Sequence, residues 1–268
     1  MSEEIKSSKS FQSIFIPVLV VLAIGLAFFS GTLWQKVKNM EKGGSATTQP
    51  TTQEQPTVSL DTIKDLFDKD LVKFGNKDAK VIFVEISDPS CPYCHVASGL
   101  NPELNRQIDP TNNTFKLVSD GGKYLAPVPE MKKLVDSGKA SFIYIYSPGH
   151  GNGELGTKVL YCANEKGKFW EAHDLLMTNK GYDLLNDTIK NDVAKAGDLA
   201  TFFKSAVDSN FLKECLESGK YDARITSDTQ LASTLGFQGT PHFFINDKAF
   251  PGAYSYTDMK ATVDALLK

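Results

Sequence analysis

Cys91 and Cys94 stand two residues apart in Cys91-Pro92-Tyr93-Cys94, a spacing that lets two sulfurs on one helical turn close a small disulfide ring. The run Lys80-Val81-Ile82-Phe83-Val84-Glu85-Ile86 precedes them and is nearly all apolar, as in a strand buried on both faces. Asp88-Pro89-Ser90 breaks that run, and a helix is predicted from Cys91 with Pro92 in its first turn, where a missing N–H does no harm. Cys91 then meets unsatisfied backbone N–H groups and the positive end of the helix dipole. Both favour a thiolate, the nucleophile of disulfide exchange. A thiolate stabilised in this way also makes the reduced pair favourable and its disulfide the better oxidant.

Other chemistries fit a lone Cys-x-x-Cys. Zinc takes four ligands in recognisable spacing, but the only other cysteines, Cys162 and Cys215, form no second knuckle. Cys91-Pro92-Tyr93-Cys94-His95 also satisfies the c-type haem pattern C-x-x-C-H. That reading needs a distal ligand, for which Met131 and Met177 are candidates. A purely structural disulfide is the third alternative.

The elements that must position the cysteines alternate along the chain. Ser141–Tyr146 reads as a second strand, and a helical stretch follows from Glu154 to about Gly219 with apolar positions three or four apart. Asp222–Leu235 is predicted as a helix ended by Gly236, His242–Ile245 as a strand, Asn246-Asp247-Lys248 as a turn and Tyr256–Leu267 as a last helix. Strands separated by helices indicate an α/β fold. Gly239-Thr240-Pro241 lies directly before the apolar strand His242–Ile245. Proline cannot donate to a sheet ladder, and a cis X–Pro bond at the strand start is one way to accommodate it.

The Cys-Pro-Tyr-Cys centre, the Gly-Thr-Pro before a strand, and Glu165-Lys-Gly-Lys-Phe-Trp-Glu-Ala-His-Asp-Leu-Leu176 together resemble the DsbA-type thiol–disulfide oxidoreductases of the thioredoxin-like superfamily. The match runs from about Val81 to the C-terminus, some two-thirds of the chain. The resemblance implies a thioredoxin-like sheet interrupted by a helical insertion, about residues 153–219. It implies that Pro241 is cis and lies beside Cys91, with Thr240 offering main-chain bonds to a substrate peptide. It makes Cys91 the nucleophile and Cys94 the resolving cysteine. Glu85 matches an acidic residue beneath the active site that helps move the proton of Cys94. Pro92, Tyr93 and His95 join Thr240 and Pro241 as candidate substrate contacts, and no cofactor is expected beyond the Cys91–Cys94 disulfide itself.

One departure from the family is a stretch from Asp109 to about Val128, where relatives run almost directly into the next strand. It reads as a tolerated surface loop, the alternative being an overhang that shapes access to the cysteines. Gly149-His-Gly-Asn-Gly153 lacks the Lys-Ser/Thr ending of a phosphate loop and reads as a flexible connection. His173 is expected to serve helix packing. His95 would tune the thiolate if protonated or face solvent from its helix. Cys162 and Cys215 lie on apolar helical faces and are candidates for a structural disulfide, with two buried free thiols as the alternative.

The N-terminus bears on the compartment. Ser10 to Gln35 holds 26 residues without a charge, enough to cross a bilayer core as a helix of about 20 residues. No clear A-x-A-like site follows, so residues 11–34 are read as a transmembrane anchor rather than a cleaved signal. Residues 35–59, rich in Gly, Ser, Thr, Gln and Pro, form a predicted flexible linker. The part from residue 60 to 268 is the catalytic domain. It is mildly acidic: residues 1–56 carry five Lys and four Glu, leaving net −4 for the rest. Nucleic acid is therefore not an expected partner. The expected partners are thiols of unfolded or exported proteins, a membrane redox protein that resets the pair, and the membrane itself. The expected location is a single pass in a prokaryotic cell membrane with the C-terminal domain outside the cytoplasm. A competing class is a non-catalytic chaperone-like or peptide-binding module with incidental cysteines.

Overall fold

The computed structural model describes residues 58–268. The transmembrane anchor and nearly all of the linker read from the sequence lie outside the described residues. Among the described residues no helix is long and apolar enough to cross a membrane.

Five strands form one sheet: β1 (Val72–Phe74), β2 (Val81–Ser87), β3 (Ala140–Tyr146), β4 (His242–Ile245) and β5 (Lys248–Pro251), in the order β1-β3-β2-β4-β5. Only β2 and β3 run parallel, with Val81 opposite Ala140 and Glu85 opposite Tyr144. β4 pairs antiparallel with β2, which sets Phe243 against Glu85 and His242 against Ile86.

Side-chain alternation along β2 and β3 explains why both read as near-continuous apolar runs. Ile82, Val84, Ile86, Ile143 and Ile145 pack on one face against Ile63 and Leu66 near the start of the domain and Ala232 and Leu235 near its end. The first two lie on or just after α1 (Leu60–Asp65), the others at the end of α10 (Asp222–Thr234). Phe83, Phe142, Tyr144 and Tyr146 point to the opposite face, into the larger core. That core is built by the inserted helices α5 (Glu154–Asn164), α6 (Phe169–Leu176), α8 (Ala196–Phe202) and α9 (Ser209–Glu217), by Leu185 and Ile189 on the turn that follows α7 (Asn179–Asp183), and by α11 (Tyr256–Leu267). Glu85 and Ser87 belong to this second face and are the polar exceptions on it.

The helical insertion enters after β3 and leaves before α10, as the sequence predicts. Cys162 on α5 and Cys215 on α9 are joined by a disulfide within it, Cα atoms 6.2 Å apart. The fold class is therefore thioredoxin-like α/β with a helical insertion. β1 and β5 were not predicted.

The stretch between α3 (Pro102–Gln107) and α4 (Pro127–Asp136) corrects the reading of a bland surface loop. Leu117 and Tyr124 bridge to each other, and with Ala126 they form a small core against Val96 of α2 (Pro92–Ser98), the helix that follows Cys91. Asn105 Nδ2 ties the segment down by donating to the Val96 and Phe115 carbonyls. The insertion is therefore packed onto the cysteine-bearing helix.

Candidate active site

Cys91 is the N-cap residue of α2, with Pro92 at the first helical position and Gly99 closing the helix in the left-handed region at φ 68°. Asp88 organises the turn that leads into it. One carboxylate oxygen accepts from the Ser90 N–H and hydroxyl. The other accepts from the Gly149 and His150 N–H groups at 2.7 and 2.8 Å. The Gly149–Gly153 segment is thus pinned to the site, which corrects its reading as a flexible connection. Its last glycine is required by space: a β-carbon on Gly153 would stand 1.8 Å from an Asp88 carboxylate oxygen.

The two sulfurs differ in setting. Cys91 is 5% exposed and its Sγ lies 3.4 Å from the Thr240 carbonyl oxygen, while Cys94 is fully buried. Both are free thiols in this structure. The Cys94 thiol beside it is the main cause that lowers the Cys91 pKa to about 6, acting with the Thr240 side chain and the N–H groups of Cys94 and Tyr93 against the cost of burial. Burial, followed by the neighbouring Cys91 sulfur, pushes the Cys94 thiol well up. Cys91 thus favours its thiolate and keeps a small exposure, while Cys94 favours its thiol and is fully buried, the asymmetry that stepwise disulfide exchange needs.

The Thr240–Pro241 peptide is cis and lies against Cys91. Tyr93, 44% exposed, packs edge-on to Phe115 of the insertion with ring centroids 5.8 Å apart. These two rings, with Gln238, Gly239, Thr240 and Pro251 to Ala253, line an open groove that reaches Thr240, the residue whose carbonyl faces Cys91. Pro92 remains part of the helix start.

His95 does not join them. It is fully buried, with Nε2 2.8 Å from the Pro89 carbonyl oxygen, Nδ1 3.0 Å from that of Met177, and its ring edge-on to Tyr182. Burial outweighs the two carbonyls and lowers its pKa to about 4, so the ring is neutral at neutral pH. It braces the Pro89 turn against the helical insertion. It neither faces solvent nor offers a substrate contact or a cation to tune Cys91. The same geometry does not fit a haem: both ring nitrogens face backbone carbonyl oxygens inside the protein, and the nominated Met131 and Met177 are buried side chains.

Glu85 lies buried on β2, two residues before Ser87, and burial raises its pKa. Cys162, Glu165 and Cys215 cluster closely enough to suggest metal ligands, but the two sulfurs are already bonded to each other. Sequence reasoning missed the anchoring role of Asp88, which the Asp-Pro-Ser break hinted at, and that of Phe115, for which no local signal existed.

Comparison with known proteins agrees with this geometry. The family model described as thioredoxin matches residues 128–265. The chain belongs to the thioredoxin family. The paired cysteines, the Gly-Thr-Pro before β4 and the helical insertion make it a DsbA-type member. Disulfide bond formation protein D of Bacillus subtilis is 25% identical, over 72% of this chain and 76% of that protein. The Na(+)/H(+) antiporter NhaA 3 of Salinispora tropica is 26% identical over 73% of this chain, which spans only 24% of that protein's length. The solved structure of the thiol-disulfide exchange protein alpha-DsbA2 from Wolbachia pipientis shares the fold with a TM-score of 0.52 at 22% identity, over 77% of this chain and 93% of that one.

Proposed function

We propose that this chain is a thiol–disulfide oxidoreductase that forms or rearranges disulfides in exported proteins, held at the outer side of a cell membrane by its N-terminal apolar segment. The observation that carries the reading is the Cys91 sulfur 3.4 Å from the Thr240 carbonyl oxygen, with Cys94 fully buried one turn behind it. The names of the Bacillus and Wolbachia relatives support the same chemistry. The uncharged run Ser10–Gln35 supports the anchor.

In the oxidising direction a substrate thiolate attacks the Cys91 sulfur of the Cys91–Cys94 disulfide. That bond breaks, and the electron pair goes to Cys94, which takes up a proton that the buried Glu85 carboxyl is assigned to supply. A second substrate thiolate then attacks the substrate sulfur of the mixed disulfide, and Cys91 leaves as its stabilised thiolate. The substrate has lost two electrons and the protein holds them as a dithiol. A membrane redox partner accepts them to restore the disulfide. Isomerisation uses the first step and its reversal, with Thr240 and the groove holding the peptide.

Replacing Cys94 with Ser tests the reading. The C94S variant should trap a mixed disulfide through Cys91 with a cysteine-containing peptide, and C91S should trap none. A C91S variant that retains the protein's full effect on refolding substrates would favour the chaperone-like module instead. The reduction potential of the pair against glutathione orders oxidase against reductase.

A further inference from the structure

Behind Cys94 a seam of polar side chains runs through the larger core. Glu85 and Ser87 come from β2, Tyr144 from β3, Thr157 from α5 and His173 from α6, and all are buried. Both Glu85 carboxylate oxygens, the Ser87, Tyr144 and Thr157 hydroxyls and His173 Nε2 lack a hydrogen-bond partner. Buried polar groups are costly unless paired, so such a cluster is not there to stabilise the core. Its members lie close together: Glu85 and Tyr144 stand opposite each other on β2 and β3, and Phe169 packs against both Tyr144 and His173.

His173 alone in this seam reaches outward. Its ring is wedged by Phe169 and Trp170, with centroids 5.9 and 5.4 Å away. Its Nδ1 stands 3.1 Å from an oxygen of Asp174, whose side chain is half exposed. Donation from Nδ1–H to Asp174 leaves Nε2, on the buried side, as an acceptor.

We propose that His173 is a proton-relay residue, passing protons between the buried Glu85 carboxyl and Asp174 at the surface and so linking Cys94 to solvent. The inference rests on the reading of Cys94 as the resolving cysteine. In resolution the Cys94 proton moves to Glu85, and the Cys94 sulfur attacks Cys91 of the mixed disulfide. The Cys91–substrate bond breaks, and its electron pair leaves with the substrate sulfur. Glu85 passes its proton to Nε2 while Nδ1 releases one to Asp174 and water. Opening of the Cys91–Cys94 disulfide needs a proton at Cys94 and runs the relay inward, which restores the starting tautomer. One catalytic cycle therefore resets the ring without a rotation.

The test uses the full chain with Cys91 loaded as a mixed disulfide with thionitrobenzoate, following release from pH 5 to 9. The groups facing the relay are Glu85 and Asp88 from the β2 side, Cys94 and His95 from α2, Tyr144 from β3 and Asp174 beside His173. H173Q should slow release about tenfold at neutral pH and change the shape of the pH profile. D174N should act in the same direction but less, and Cys91 alkylation by iodoacetamide should stay within about twofold in both. Release from H173Q at the normal rate, or uniformly slowed at every pH, overturns the relay. If H173Q does not fold, D174N decides, and an unchanged profile there overturns it equally. Failure of Cys91 to form the adduct at all would instead sink the disulfide-exchange reading itself.

Discussion

A β-carbon on Gly149 would stand 1.7 Å from the Thr240 hydroxyl oxygen, so the loop after β3 presses directly on the residue whose carbonyl faces Cys91. The same glycine donates its N–H to Asp88 and cannot back away without losing that bond. G149A must therefore displace Thr240, release Asp88, or both. The expected result is a KM for a cysteine-containing peptide raised about fivefold or more, with a stability loss of about 1–3 kcal/mol from the overpacking. The Cys91 pKa should rise as well, because Thr240 helps hold it down. Peptide kinetics and iodoacetamide titration read both. An unchanged KM would mean that the Thr240 position is not used in binding.

The Cys91 pKa of about 6, against an ordinary 9.0, leaves about 90% thiolate at pH 7. Alkylation of reduced protein should be half-maximal near pH 6, not near 9. A lowered pKa stabilises the reduced fold above the unfolded value and loses that contribution as pH falls through the folded one. The melting temperature of the reduced protein relative to the oxidised one should therefore decline from pH 8 to pH 5. Paired thermal melts across that window check the sign, and a rise toward acid would contradict it.

Much of this site was legible in the sequence, for physical reasons that differ by residue. Val81–Ile86 and Ser141–Tyr146 read as strands because both their faces are covered, and Cys91-Pro92 read as a helix start because proline fits the first turn. β1 and β5 escaped because Val-Lys-Phe and Lys-Ala-Phe-Pro are short edge strands with little periodicity. His95 misled because adjacency to Cys94 says nothing about burial, and its partners, the Pro89 and Met177 carbonyls, include one 82 residues away. His173 packs within the helical layer as expected, but its place near the buried polar groups of β2 and β3 comes from the packing of α6 on the sheet, which no local pattern encodes.

Glu85 trades stability for chemistry. Burial raises its pKa from 4.5, so above that value the unfolded chain gives up a proton that the fold retains. The fold is favoured most below pH 4.5, and the Glu85 contribution declines as pH rises. E85L removes an unpaired buried carboxyl and should stabilise the fold by about 1–3 kcal/mol, more at pH 7 than at pH 4, read as a raised melting temperature. The same variant should slow release of thionitrobenzoate from the loaded Cys91. A variant that is both less stable and equally fast would show that the carboxyl has a packing role only.

Phe115 gives the insertion a role in substrate choice. Its ring stands between Tyr93 and Tyr124, with centroids 5.8 and 5.5 Å away, and forms one wall of the groove that begins at Thr240. Pro251 to Ala253, which also line it, carry no charge, so the groove suits an apolar or aromatic side chain next to a substrate cysteine. Removing the ring deletes contact area worth about 1–2 kcal/mol for a well-packed aromatic neighbour. F115A should therefore raise KM about five- to thirtyfold for a peptide with Phe or Leu beside its cysteine, and hardly at all for one with Gly or Ser there. Cys91 alkylation by a small reagent should not change, since Phe115 is absent from the causes that set its pKa. Equal losses for all peptides would assign Phe115 to supporting α2, leaving substrate choice to the Thr240 side of the groove.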